Sequence, residues 1–199
     1  MKIIAENLGK RFNREWIFRN FNYSFNEGNR YAITGPNGSG KSTLMQALWG
    51  QLQPSAGAIN YQGIDSSEIF QHVAIATPYM DLIEEFSLQE IVQFHFKFKK
   101  CRLPADEFLE ILRLPLNHTK PIAQFSSGMR QRLKLGLAFY SVADVLFLDE
   151  PCTNLDQASA QWYQEQLQQV PASTIVFVAS NMESEYASIR QRIHILDYK

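Results

Sequence analysis

Gly35-Pro36-Asn37-Gly38-Ser39-Gly40-Lys41-Ser42-Thr43 satisfies the phosphate-cradling pattern G-x-x-x-x-G-K-[ST] at every constrained position. Glycines let a backbone wrap closely around phosphates, successive N–H groups point at the anion, and the helix that follows adds the positive end of its dipole. In such a loop Lys41 reaches the β- and γ-phosphates and Ser42 holds Mg²⁺. The flanks agree with this reading. Arg30-Tyr31-Ala32-Ile33-Thr34 is a short β-prone run ending at the first glycine, and residues 42–52 carry Leu44, Met45, Leu48, Trp49 and Leu52 on one apolar stripe of a helix. Strand, glycine loop and helix in this order imply a bound nucleoside triphosphate.

Outward from the loop, residues 2–5, 21–25 and 30–34 read as β runs separated by turn formers such as Asn26-Glu27-Gly28-Asn29. Residues 58–61 and 73–76 read as two more strands. The middle changes character: Ile91, Val92, Phe94, Phe96, Phe108, Ile111 and Leu112 lie in helix-forming segments that Pro104 and Pro115 break into short pieces. Residues 145–148 and 174–179 are apolar β runs, with a polar helical stretch at 157–169 between them. Continuous apolar strands alternating with helices predict an α/β fold with a mostly parallel sheet covered by helices on both faces.

Composition narrows the class. With 199 residues, 45% of them hydrophobic, the chain can bury a core of one domain rather than two. Nineteen basic and twenty acidic residues give a net charge of −1, so no global charge argues for a nucleic-acid partner. Phe94-His95-Phe96-Lys97-Phe98-Lys99-Lys100 interleaves aromatics with cations, but reads as helical packing with a solvated basic edge. No apolar run approaches bilayer-spanning length and residues 1–6 lack a secretory core, so a cytosolic chain is expected. Cys101 and Cys152 have no metal or redox spacing and are expected as reduced thiols.

Val145-Leu146-Phe147-Leu148-Asp149-Glu150 is an apolar strand ending in two carboxylates. Asp149 is placed to bind a cation and Glu150 to take a proton from an attacking water. With Phe125-Ser126-Ser127-Gly128-Met129-Arg130-Gln131-Arg132 before a helix, and Asp149-Glu150-Pro151-Cys152-Thr153-Asn154-Leu155-Asp156, the whole chain resembles the nucleotide-binding subunit of an ATP-binding cassette (ABC) transporter. The resemblance implies a P-loop NTPase of ABC type spanning 1–199 as one ATP-binding domain. It adds a small antiparallel β subdomain and a helical insertion at about 80–140. In that family a Leu-Ser-Gly-Gly-Gln signature opens a helix and two subunits pack head to tail, each signature facing the other's ATP. Here Phe125 stands for Leu, Ser127 for the first Gly and Met129 for Gln. Ser126, Ser127 and the Gly128 backbone are implied donors to the partner's nucleotide, and Leu155-Asp156 resembles the loop that contacts the opposite subunit. A lone Ser126-Ser127-Gly128 is equally an ordinary helix start.

The resemblance also implies ATP and Mg²⁺ as ligands, Ser42 and Asp149 as metal ligands, and separate membrane-spanning permease subunits. The chain itself would be peripheral at the cytoplasmic face. An aromatic near the N-terminus stacks on adenine in this family: Phe12 sits at the matching place, with Trp16 close enough to compete. Two positions depart from the pattern. Asn181 occupies the place of the switch histidine, and its amide hydrogen-bonds but carries no proton near neutral pH. Thr77-Pro78-Tyr79-Met80-Asp81 holds no glutamine where the family senses Mg²⁺. His72, His95, His118 and His194 read as ordinary solvated or satisfied histidines. The expected function is ATP hydrolysis driving transport; the alternatives are an ATP-dependent dimerisation switch with weak hydrolysis and a soluble, non-transport cassette protein.

Overall fold

The computed structural model describes residues 1–114 and 120–199; Pro115, Leu116 and His118 lie outside the described residues. In chain order the elements are β1 (Lys2–Phe12), β2 (Glu15–Asn26), β3 (Arg30–Thr34), α1 (Lys41–Leu48), β4 (Ala56–Gln62), α2 (Ile69–His72) and β5 (Val73–Ala76). There follow α3 (Leu88–Phe98), α4 (Ala105–Ile111), α5 (Ser127–Tyr140), β6 (Val145–Asp149), α6 (Gln157–Gln168), β7 (Ile175–Ser180), α7 (Glu183–Tyr186) and β8 (Gln191–His194). The chain divides into two compact units. One comprises Met1–Val73, Ala143–Glu150 and Pro171–Lys199; the other comprises Ala74–Val142 and Pro151–Val170.

The first unit is built on parallel strands in the order β6-β7-β3-β8. All five residues of β6 and all six of β7 are buried, as expected for a parallel strand covered on both faces. In register, Phe147 pairs with Phe177 and Tyr31 pairs with Phe177. Their rings stack across the sheet, Phe147 on Phe177 at 4.7 Å and Tyr31 on Phe177 at 5.5 Å. Helix α1 buries Leu44, Met45 and Leu48. Trp49, which ends it, meets Phe147 edge to face at 5.2 Å.

A second sheet in this unit, ordered β2-β1-β4, is antiparallel. The sequence marks only residues 2–5 and 21–25 of the β1–β2 hairpin, whereas the strands run on to Phe12 and back from Glu15. Register shifts at Ala5/Leu8, Leu8/Lys10 and Lys10/Arg11 break the two-residue alternation, so the pattern that identifies a strand is lost while the pairing continues. Gly9 is required inside β1 because a Cβ there would lie 3.0 Å from Cζ3 of Trp16. His72 pairs with Asp144 at 2.5 Å.

The second unit is helical. Helix α3 starts at a capping box in which Ser87 and Glu90 each bond the other's backbone. Pro104 caps α4 and admits Phe108, fully buried and edge to face with Phe96 at 5.1 Å. Gly136 lets α5 approach α4 closely: a Cβ there would meet Leu112 Cδ2 at 2.1 Å. Trp162 of α6, fully buried, donates its indole N–H to Ile111 O at 2.9 Å. The run 94–100 lies mostly on α3, where Ile91 and Val92 are buried, Phe94 and Phe98 are exposed, and Lys97 and Lys100 are solvated. Cys101 and Cys152 are not disulfide-bonded.

His95 lies within the second unit, its Nε2 2.9 Å from Ser141 Oγ. Burial, helped by the positive charge of Lys99, pushes its pKa down to about 4. Between that value and the ordinary histidine range the unfolded chain binds a proton that the folded chain rejects, so stability falls as the pH drops through this window. We expect acidification from pH 7 to pH 4.5 to cost the native protein up to about 3 kcal/mol through this group. A His95→Gln variant, compared by urea unfolding at both pH values, should lose that part of the acid sensitivity. An unchanged pH dependence would show that His95 is not its source.

Candidate active site

In the first unit, β3 delivers the chain into the glycine loop and α1 leaves it. Gly35, Gly38 and Gly40 have φ of 148°, 72° and 106°. At Gly40, the N-cap of α1, a Cβ would also lie 2.5 Å from Cγ2 of Ile17, so both space and backbone angle require glycine there. The loop curls around its own lysine. Lys41 is only 4% exposed and donates to the carbonyl oxygens of Gly35 and Pro36, each at 3.1 Å. Its Nζ stands 4.0 Å from Glu150 Oε1. Ser39 Oγ is buried with no hydrogen-bond partner.

The parallel register brings three strand ends together at this loop. Asp149 pairs with Ala179, Ile33 pairs with Ala179, and Thr34 pairs with Ser180. Glu150, Asn181 and Gly35, one residue beyond each, therefore leave the sheet along one edge, the carboxyl edge where open α/β sheets bind ligands. Glu150 holds a left-handed φ of 44°, and its N–H donates to Ala179 O at 2.8 Å. Asn181 is exposed. Thr34 also pairs with His194, whose Nδ1 is 3.2 Å from Thr34 Oγ1. From the sequence His194 reads as an ordinary histidine, because β8 has only four residues and no alternating stretch long enough to mark a strand.

Asp149 is 2% exposed and its Oδ1 has no partner. Burial is the main reason its pKa is pushed up to about 6; Glu150 adds to the rise, while the Ser42 hydrogen bond and Lys41 oppose it. A buried carboxylate with one oxygen unsatisfied, bonded to a serine hydroxyl at a helix start, is the hard oxygen donor set that suits Mg²⁺.

At the end of the β1–β2 hairpin, Phe12 is 48% exposed. Trp16, half-buried, packs on Gly9 and carries the Arg11 guanidinium 5.6 Å from its ring centre. Of the two aromatics weighed as a base platform, Phe12 has the more open ring.

The second unit contains the signature-like segment. Ser126 caps α5, its hydroxyl accepting from Met129 N–H at 3.2 Å. A Cβ on Gly128 would come within 3.0 Å of Asn154 O, so this glycine is kept by a close backbone approach. Asn154 has φ of 64°, and Asp156 caps α6 through Ser159 N–H at 2.8 Å; the Ser159 hydroxyl first, and then this backbone bond, lower the Asp156 pKa. Gln131 Nε2 donates to Pro151 O at 2.9 Å, and Arg132 donates to Ser159 Oγ while lying over the Trp162 ring at 5.3 Å. Ser126, Ser127, Gly128, Asn154, Asp156 and Arg132 contribute to the wall of a cavity of about 360 Å³. The segment lacking a glutamine forms a turn at 77–80, with Tyr79 82% exposed and Pro78 O accepting from Lys134 Nζ at 3.0 Å.

A family model described as ABC transporter matches residues 18–153. The chain belongs to that family. It is 28% identical, over 98% of its length, to the daunorubicin resistance ATP-binding protein DrrA3 of Streptomyces coeruleorubidus, and spans 65% of that protein. It is 30% identical to the cytochrome c biogenesis ATP-binding export protein CcmA of Chelativorans sp. (strain BNC1), covering 92% of each chain. Its fold is shared with a solved ABC transporter ATP-binding protein from Pyrococcus furiosus, at a TM-score of 0.85, 19% identity and full coverage of both chains. That likeness establishes an ABC ATPase fold for this chain.

Because Asp149 is buried with one oxygen lacking a partner, its ionised form is disfavoured in the folded protein. Asp149→Asn should raise the unfolding free energy of the nucleotide-free, Mg²⁺-free protein at pH 7.5 by about 1–3 kcal/mol, the scale of its pKa displacement. Denaturant unfolding with EDTA present checks this. A loss of stability instead would mean that the carboxylate is compensated in the folded protein.

Proposed function

We propose that this chain is the ATP-hydrolysing motor subunit of an ABC transporter. In this reading it is a single ABC domain over residues 1–199 with a helical subdomain at about 80–140. It works as a dimer at the cytoplasmic face of a membrane with separate membrane-spanning subunits. Among the described residues no helix is long and apolar enough to cross a membrane, which is consistent with such a division of labour. The observation that carries the proposal is the buried Lys41 ammonium, held by loop carbonyls and facing Glu150, beside the unsatisfied Asp149.

The residues then have distinct tasks. The backbone of residues 35–43 takes the phosphates, and Lys41 exchanges its carbonyl contacts for β- and γ-phosphate oxygens. Ser42 and Asp149 would hold Mg²⁺, which when bound neutralises phosphate charge and orients the chain of phosphates. Glu150 accepts the proton of the attacking water, and its left-handed backbone, tied to Ala179 O, fixes where that carboxylate starts. Asn181 hydrogen-bonds the γ-phosphate without carrying a proton. Phe12 stacks on the base. Ser126, Ser127 and Gly128 of a second copy donate to the γ-phosphate from a helix N-terminus, so that ATP joins the two copies.

Asn181 favours a second reading, in which ATP closes the dimer but is hydrolysed slowly. A single experiment separates the two. Phosphate release by the wild type should be Mg²⁺-dependent and fall at least about a hundredfold in Glu150→Gln, with Mg²⁺-ATP affinity kept within about threefold. Full turnover in Glu150→Gln would remove Glu150 from its role. Negligible turnover by the wild type, alone and with its membrane partner, would favour the switch.

A further inference from the structure

The exposed ring of Phe12 is not left to itself. The Lys10 ammonium lies over one face, 5.2 Å from the ring centroid. The same ammonium donates to Gln53 O at 2.8 Å, which anchors its position. The segment that supplies this anchor is itself braced against β1: Ser55 N–H donates to Gly9 O at 2.8 Å, and Arg11 N–H donates to Ser55 Oγ at 3.2 Å. The neighbouring pair, Arg11 over Trp16, repeats the arrangement, but Trp16 packs on Gly9. Ile17, one residue further along β2, packs on Gly40 and keeps this hairpin against the glycine loop.

We propose that Lys10 is a positioning residue for the nucleotide base: clamped to Gln53 O, it occupies one face of Phe12 and presents the opposite face for the purine to stack on. The inference rests on the reading of Phe12 as the base platform. Two physical effects follow from it. A cation over an aromatic ring attracts the ring's negative face and restricts its rotamers, so less freedom remains to be lost when a base arrives. Lys10 acts on the base through Phe12 alone and makes no contribution to holding the phosphates. A flat ring reads any base by its π-face, so the effect belongs to stacking rather than to recognition of base edges.

The test compares equilibrium binding of Mg²⁺-ATP with that of Mg²⁺-tripolyphosphate, which has no base, in 0.15 M salt. Lys10→Met should weaken ATP binding about twofold to fivefold and leave tripolyphosphate binding unchanged, while Lys10→Arg, which keeps a cation, should bind ATP like the wild type. Phe12→Ala should weaken ATP more than Lys10→Met does, and adding Lys10→Met to it should cost nothing further. An equal loss on tripolyphosphate in Lys10→Met would overturn the proposal by assigning Lys10 to general charge attraction, as would an additive loss in the double variant. Weaker ATP binding in Phe12→Ala with no effect of Lys10→Met would overturn the role of Lys10 and keep Phe12. Unchanged ATP binding in Phe12→Ala would overturn the platform reading itself.

Discussion

A lysine ammonium that is 4% exposed must be surrounded by oxygen, because removing an unpaired charge from water is among the most expensive changes a folded protein can make. At Lys41 those oxygens are the carbonyls of Gly35 and Pro36 and, further off, the Glu150 carboxylate. The loop that carries these carbonyls turns through positive φ at Gly35, Gly38 and Gly40, angles that side chains resist. Phosphate oxygens can take over the same bonds without moving the charge. In the proposed function the cation of this loop is desolvated before the anion arrives, which is the preorganisation that makes electrostatic binding efficient.

The loop matters only because of what the sheet places beside it. Parallel pairing fixes register strand by strand, and the buried β6 and β7 have no slack by which to slip. Asp149 and Glu150 therefore emerge one strand beyond the root of Asn181, which in turn neighbours the strand that enters the loop. The unsatisfied Asp149 oxygen and the unsatisfied Ser39 hydroxyl lie in this same first unit.

Much of this was legible in the sequence, and for identifiable reasons. The glycine loop, β3 and β6 are written in local chemistry: a spaced motif and short apolar runs that need no tertiary knowledge. Strands β3 and β5 fall at the residues expected, and β7 falls within one. The β1–β2 hairpin was half hidden because bulges interrupt its alternation, and α2 and β8 were missed because four residues carry no period. At the candidate site, the residue types that carry the proposal can be named from the sequence, but their states cannot. The left-handed Glu150, the lysine folded onto its own loop and the cation above Phe12 all depend on partners distant in sequence. The retained Gly128 is a further case: its need comes from Asn154, twenty-six residues away.

We propose that Lys41 and the glycine loop form a preorganised Mg²⁺-triphosphate site. Titration calorimetry of the purified protein with ATP, with and without Mg²⁺, tests it directly. Binding should be saturable and one-to-one, strengthened by Mg²⁺, and abolished in a Lys41→Ala protein that is still folded. Undiminished ATP binding in Lys41→Ala would contradict it.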